Sequence, residues 1–572
     1  MSSDFKTELI KDATIADITS ELTYAVESGA SNCTYQSFPA TSPSNSSVAF
    51  SVQVPSESIV LGRDLLFRAG MTFRINLTGV PIGYPALKWG VDCALAPFPL
   101  ASLMTTVNCQ INNTNVSVNL QDILPQILAL NSREDLAYYN GASPSLPDGD
   151  YGSFADAEGA NNNPLGTYVN NSYDNQLMGR GGFPVALTVL HNVTAGGQDA
   201  SLISTNVADT WVVTVSVQVT EPVFLSPWTW GNPERNAQGI VGVNNMAFTF
   251  NLDSSLKRLL SASNPYIVSL AAGGADSKLF GGVQVGLNKA DPAPTLLLKF
   301  LSTQPSDLIE SKNVVPYTDF PRYLTTASTS IVAGGNADLN TQSLQINQMP
   351  SKIIIVARRP MSGSDWSDPS TFLTIKGISV NLNNASGLLS SSSQNDLWRM
   401  SVRNGSNQTW AQFCGQAVKP SANYALPATG IQLIPTGGSM IVLNPAYDLS
   451  LPDYITCGSL GNYNLQMRLE VVNQYGETIT PEIVILCVNS GVLTTVQGTS
   501  STFTGIITKQ QCLDAKAMKA TSSATESRMV GGALLNMSLV RHPRHSGMRG
   551  AAASGGVMSG GMARGKLASL MC

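Results

Sequence analysis

From residue 48 onward, apolar and polar side chains alternate with a period of two. AFSVQV (49–54), LLFRAGMTFRINLTG (65–79) and LMTTVNCQIN (103–112) are rich in β-branched and aromatic residues and predict strands. INNTNVSVN reads as strand, turn, strand, and the period then becomes helical in LQDILPQILAL (120–130). Strand patterns resume at WVVTVSVQVTEPVFL (211–225), AFTFNL (247–252), YIVSLAAG (266–273) and TLLLKFL (295–301). A second series comprises SLQIN (343–347), KIIIVARR (352–359), FLTIKGISVNLNN (372–384), SMIVLN (439–444), LQMRLEVVNQ (465–474), PEIVILCVNSGVL (481–493) and GIITKQQ (505–511). It also carries one helical piece, SQNDLWRMSVRNGSNQTWAQF (393–413). Each series holds roughly seven or eight strands, which predicts a mainly β chain of two consecutive antiparallel sandwiches of about 200 residues or more, jelly rolls being the eight-stranded form. No residue-level repeat links the halves, so any duplication is architectural.

The ends read differently. Ile15, Ile18, Leu22 and Val26 form one stripe at helical spacing and predict a helix over 4–27. Residues 28–47 are rich in Ser, Pro and Asn and read as a linker. The expected organisation is therefore an arm (1–47), a first roll with long loops (48–302), a second roll (303–512) and a Gly/Met-rich tail (513–572). The arm stripe either docks on a neighbouring subunit or folds back on its own core. The Gly/Asn/Asp/Pro-rich segment 140–185 is an expected surface elaboration.

Composition narrows the class. Only 12% of the 572 residues are charged, which suits turn-rich β proteins and surfaces committed to subunit contact. The net charge of −5 conceals an asymmetry: the six basic residues from Arg528 onward face no acidic one, so residues 1–527 carry −11. Nucleic-acid binding by the body is disfavoured. No stretch has the apolar length of a membrane helix, and the acidic, amphipathic N-terminus is unlike a signal peptide. The eight cysteines form no C-x-x-C pair and read as mostly buried free thiols in a reducing compartment.

Candidate chemistry is sparse. His542 and His545 lie in the tail without metal-ligand partners, and His191 sits alone on a strand with no nucleophile elbow. Asp148, Asp150, Asp156 and Glu158 in DGDYGSFADAEG break the calcium-loop pattern, since Gly152 and Gly159 stand at ligand positions. Trp228 and Trp230 alternate in SPWTWGNPERN and offer either an aromatic platform or, the preferred reading, a corner closing the sandwich core. Gly560–Lys566 has phosphate-loop spacing, but no strand precedes it and Leu567 replaces the magnesium-binding hydroxyl. The expectation is a chain with no enzymatic activity, no cofactor and no metal.

EPVFLSPWTWGNPERNAQGIVGVNNMAFTFNL (221–252) resembles the end of the first jelly roll in major capsid proteins of polinton-like viruses and adintoviruses, within the virophage–adenovirus–tectivirus lineage. GSMIVLNPAYDLSLPDYITCGSLGNYNLQMRLEVVNQYGETITPEIVILCVNSGVL and the residues to 513 are similar to the end of their second roll. The resemblance implies a structural subunit that forms pseudo-hexagonal homotrimeric capsomers of an icosahedral DNA virus. It would be assembled in the host cell and located in the virion, with neighbouring capsomers, penton and minor capsid proteins as partners. A non-viral β-sandwich binding protein of adhesin type is the alternative. The resemblance also implies a maturation protease that cuts after an aliphatic or Met residue, any residue, then Gly-Gly. Met529-Val530-Gly531-Gly532 before Ala533 and Met558-Ser559-Gly560-Gly561 before Met562 fit that pattern. Arg541, Arg544, Arg549, Arg564 and Lys566 offer instead a nonspecific, salt-sensitive contact with packaged DNA or the inner shell. Processing predicts that mass spectrometry of purified particles finds chains ending at Gly532 or Gly561; an intact 60.4 kDa chain alone contradicts it.

Overall fold

Each of two antiparallel sandwiches is organised around one long strand that takes two partners end to end along at least one side. In the first sandwich this is Ile59–Thr78: Thr295–Ser302 pairs with its first half and Ile267–Ala272 with its second. On the opposite side Thr210–Pro222 runs along residues 66–78. Ala186–His191 and Cys33–Pro39 complete the sheet as its edges. The facing sheet has the order Ser42–Pro43, Ser47–Gln53, Asn245–Leu252, Met104–Ile111, Thr114–Val118. The computed structural model describes residues 8–10, 24–26, 33–90, 92–147, 180–191, 203–204, 210–229, 239–273, 277–280, 293–302, 312–367, 372–418, 433–451, 457–474 and 476–505.

The period-two pattern becomes burial directly. Trp211, Val213, Val215, Val217 and Val219 all point inward and are essentially inaccessible, because successive side chains on a strand face opposite sides of the sheet. Phe50, Phe67 and Phe250 meet between the sheets with ring centroids 5.3–5.7 Å apart, in tilted and edge-on geometries.

In the second sandwich the long strand is Glu482–Val496. Arg322–Thr326 and Lys312–Asp319 pair end to end along one side, and Lys352–Arg358 and Thr499–Thr504 along the other. Ile441–Leu443 extends the sheet beyond Lys352–Arg358. The facing sheet is built on Leu460–Val472, flanked by Thr374–Leu382 and, on its other side, by Asn336–Asn340 and Leu344–Gln348.

This long-strand sheet is apolar on both faces. Ile353, Ile355, Ile483, Ile485 and Cys487 belong to the second sandwich's own core, with Leu465, Met467 and Leu469. The alternate residues Ile354, Val356, Val442, Val484, Leu486 and Val488 belong to the same buried cluster as Phe67, Phe250 and Val215 of the first sandwich. All seven residues of Lys352–Arg358 are buried, so KIIIVAR shows no alternation.

Several expectations change. Glu8–Ile10 and Tyr24–Val26 form a parallel pair of strands, which replaces the expected helix at those positions; the stripe residues Ile15, Ile18 and Leu22 lie outside the described residues. Of the expected linker, Cys33–Pro39 is an edge strand and Ser42–Pro43 a short one. A polar sequence serves there because an edge strand exposes one side to water; its burial pattern is mostly exposed. Lys312–Asp319, Arg322–Thr326 and Thr499–Thr504 are further strands without a strong alternation, and Pro316 is tolerated in an outer strand. The expected strand at 505–511 lies mainly outside the described residues.

The two-faced sheet predicts that Leu486→Ala destabilises the chain by about 2–5 kcal/mol in urea unfolding, a buried-cavity cost, although Leu486 faces away from its own sandwich core. Leu460→Ala, at a side chain 64% exposed, is expected to shift stability by no more than about 0.5 kcal/mol.

Candidate functional site

The chemistry-bearing side chains that the fold brings together lie at the junction of the sandwiches. The helix Leu120–Leu130 of the first sandwich is apolar along most of its length, with the buried carboxylate Asp122 in its first turn. Two arginines of the second sandwich reach that carboxylate. Arg358 Nη2 donates to Asp122 Oδ1 at 2.6 Å, and Arg322 Nε forms an ion pair with Asp122 Oδ2. Arg358 also holds Glu482 Oε2 at 3.2 Å. Arg258 donates to the Gln121 carbonyl at 2.9 Å; burial, followed by the charge of Arg358, lowers its pKa to about 10.

Two further contacts bracket this cluster. The helical insert of the second sandwich comprises Gln394–Arg403 and Trp410–Phe413, each opened by a capping box, Ser393 with Asp396 and Thr409 with Gln412. Between them, Asn407 donates its backbone N–H to the Ala129 carbonyl at 3.3 Å and its side-chain amide to the Leu130 carbonyl. The helical inserts of both sandwiches therefore meet. At the other contact, Ser500 in the last hairpin donates its backbone N–H to Asn113 Oδ1 at 2.7 Å. Thr114 Oγ1 donates to the Ser500 carbonyl at 2.6 Å, and Gly498 N–H to the Gly242 carbonyl at 3.1 Å. Gly498 has φ +80°, which its turn requires and L side chains rarely adopt.

Other buried ionisable groups are held by structure. Glu221 accepts from the Leu100 and Ala101 N–H groups at 3.0 and 2.8 Å and from Ser143 Oγ at 2.9 Å, yet burial pushes its pKa up to about 7. Lys352 donates to the Asn404 carbonyl at 2.6 Å and burial lowers its pKa to about 8. Burial raises the thiols of Cys93, Cys109 and Cys487, the last to about 12, so none of these is an activated nucleophile.

The cleavage residues Gly532, Ala533, Gly561 and Met562 and the basic residues Arg541, Arg544, Arg549, Arg564 and Lys566 lie outside the described residues, as do Asp148, Asp150, Asp156, Glu158 and Trp230. Val26 falls on the strand Tyr24–Val26. Trp228 is buried, with its ring 5.3 Å from Phe248, which makes it part of the core rather than an exposed platform. His191 ends the strand Ala186–His191 opposite Trp211. Among the described residues no group of three or more His, Cys, Asp or Glu could hold a metal ion, and no helix is long and apolar enough to cross a membrane. The junction cluster was missed from sequence; its signal was a lone Asp inside an apolar helix and an Arg ending the apolar run IIIVA of a fully buried strand.

Two sandwiches joined through a shared sheet, with their polar chemistry spent on holding each other, define a structural subunit of double jelly-roll type. Residues 3–301 match the family model for the Sputnik virophage major capsid protein 1st domain, and residues 320–491 that for the major capsid protein V20 C-terminal domain. The chain belongs to this family of virophage major capsid proteins. It is 27% identical over 530 residues to putative capsid protein V20 of Sputnik virophage, spanning 90% of this chain and 82% of that protein. Its fold is similar to that in the cryo-EM structure of the Sputnik virophage (TM-score 0.70, 23% identity, 90% of this chain and 96% of that one). It is also similar to the mavirus major capsid protein (TM-score 0.62, 15% identity, 89% and 96%). The protein is thus a major capsid protein, a non-enzymatic component of the virion capsid.

Glu221 gives a pH dependence of defined sign. Its folded-state pKa of about 7 lies above the ordinary 4.5, so the folded chain binds the extra proton between those values. Its contribution to stability therefore falls as pH rises from about 4.5 to about 7 and stays low above. Thermal unfolding of Glu221→Gln against the parent is expected to show a smaller loss of Tm across that window; an unchanged pH profile contradicts the assignment.

Proposed function

We propose that this chain builds pseudo-hexagonal homotrimeric capsomers that tile the shell of a DNA virus of polinton-like or adintovirus type. The observation that carries the reading is the two-faced sheet 312–319, 352–358, 441–443 and 482–496, which fuses two sandwiches of similar build into one body. Two such sandwiches per chain, taken three times, give six near-equivalent units around an axis. The division into an arm, a first roll ending near 302, a second roll and a tail from 513 is part of this proposal. Arm and tail are its candidates for contacts between capsomers, with penton and minor capsid proteins, with a maturation protease and with packaged DNA.

The low charge of the body supports extensive subunit contact. Exposed apolar side chains at one loop tip support it further: Ile82, Tyr84 and Ile203 sit together through the Gly83 N–H to Ser204 carbonyl bond of 2.8 Å and the Ser204 N–H to Tyr84 carbonyl bond of 2.9 Å. Analytical ultracentrifugation and electron microscopy of the expressed chain are expected to show a stable trimer of hexagonal outline. A monodisperse monomer or dimer at assembly concentrations contradicts the proposal.

A further inference from the structure

The apolar contact between the sandwiches has little directional content. Along the face turned to the first sandwich, Val484, Leu486 and Val488 are followed laterally by Ile354, Val356 and Val442. Sliding one sandwich past the other by two residues, about 6.8 Å, replaces one aliphatic side chain by another of similar size. Hydrophobic burial alone therefore favours association without selecting one register.

The charged cluster has the opposite character. Asp122 offers two oxygens, and these are divided between Arg358 and Arg322 from two different strands of the second sandwich. The same Arg358 Nη2 also donates to Glu482 Oε2 at 3.2 Å, the neighbour across the strand pair Arg358↔Glu482. A shift of either sandwich by a single side-chain spacing separates Asp122 from both arginines and leaves buried charges unpaired. Such a displaced state is penalised heavily, whereas the paired state gains little over an apolar replacement.

We infer that Asp122, Arg322, Arg358 and Glu482 are specificity-determining residues for assembly: they select one orientation of the two sandwiches and contribute little net stability to the chain. The inference rests on the capsomer reading, since six sandwiches close into a regular outline only when the angle within each chain is fixed. An error in that angle is repeated three times in a trimer and again across the shell.

The test replaces the network by apolar groups in the full chain, as Asp122→Leu/Arg322→Met/Arg358→Met/Glu482→Leu, so that no partner of Asp122 keeps its charge, alongside Asp122→Asn. The quadruple variant is expected to keep the parental Tm, to show more than one arrangement of the sandwiches in single-particle images, and to lose closed particles. Asp122→Asn, which leaves the arginines without their shared carboxylate, is expected to lower Tm. A quadruple variant that keeps a single parental arrangement overturns the inference, and so does one whose Tm collapses, because the network would then be a stabiliser. The sandwich arrangement is read on the isolated protein, so a parent chain that forms no shell counts against the capsomer reading and leaves this result interpretable.

Discussion

A β-sheet buried on both faces must be covered twice, and this requirement organises the whole subunit. The sheet centred on Glu482–Val496 and Lys352–Arg358 places Ile483, Ile485 and Ile353 in one core and Val484, Leu486 and Ile354 in another. Removing either cover would expose a continuous aliphatic surface, well beyond what a soluble monomer tolerates. The first sandwich is thus both a jelly roll in its own right and the lid of the second. The long strands Ile59–Thr78 and Glu482–Val496 suit this arrangement, since each spans its sandwich and takes two partners along one edge.

Polar chemistry supplies what aliphatic contact cannot. The Asp122–Arg358–Glu482 cluster, the Asn407 contact with the end of the helix Leu120–Leu130, and the Ser500 contact with Asn113 lie on separate elements. These contacts, with others such as the Thr318 N–H to Ser226 Oγ bond of 2.9 Å, all orient the sandwiches, but of them the ion network is the one whose displacement strands buried charge. A buried ion network is an inefficient stabiliser, because desolvation offsets most of the attraction, but a displaced network is worse still. This asymmetry suits a subunit whose purpose is a repeatable geometry.

Much of the fold could be read from the sequence, and the reasons for the gaps are physical. Strands with one solvated face, such as Thr210–Pro222 and Asn245–Leu252, announce themselves by alternation, and the helix Leu120–Leu130 by its change of period. Edge strands such as Cys33–Pro39 are mostly exposed and carry no apolar signature. The two-faced strands were legible as strands, but KIIIVAR and PEIVILCV do not say which second surface covers them. Asp122 and Arg358 are separated by 236 positions, and no local pattern connects them. The parallel pair Glu8–Ile10 and Tyr24–Val26 replaces part of a helical stripe, since non-local pairing there prevails over local period. The capsid family itself was legible in residues 221–252 and 438–513, while the narrower virus type stays with the proposal.

Calorimetric unfolding of the purified full chain tests the shared-sheet account most directly. Two sandwiches that cover one sheet between them should unfold in a single cooperative transition, with calorimetric and van't Hoff enthalpies in agreement. Two separate transitions, with one sandwich retaining its near-UV signal after the other has melted, would contradict it.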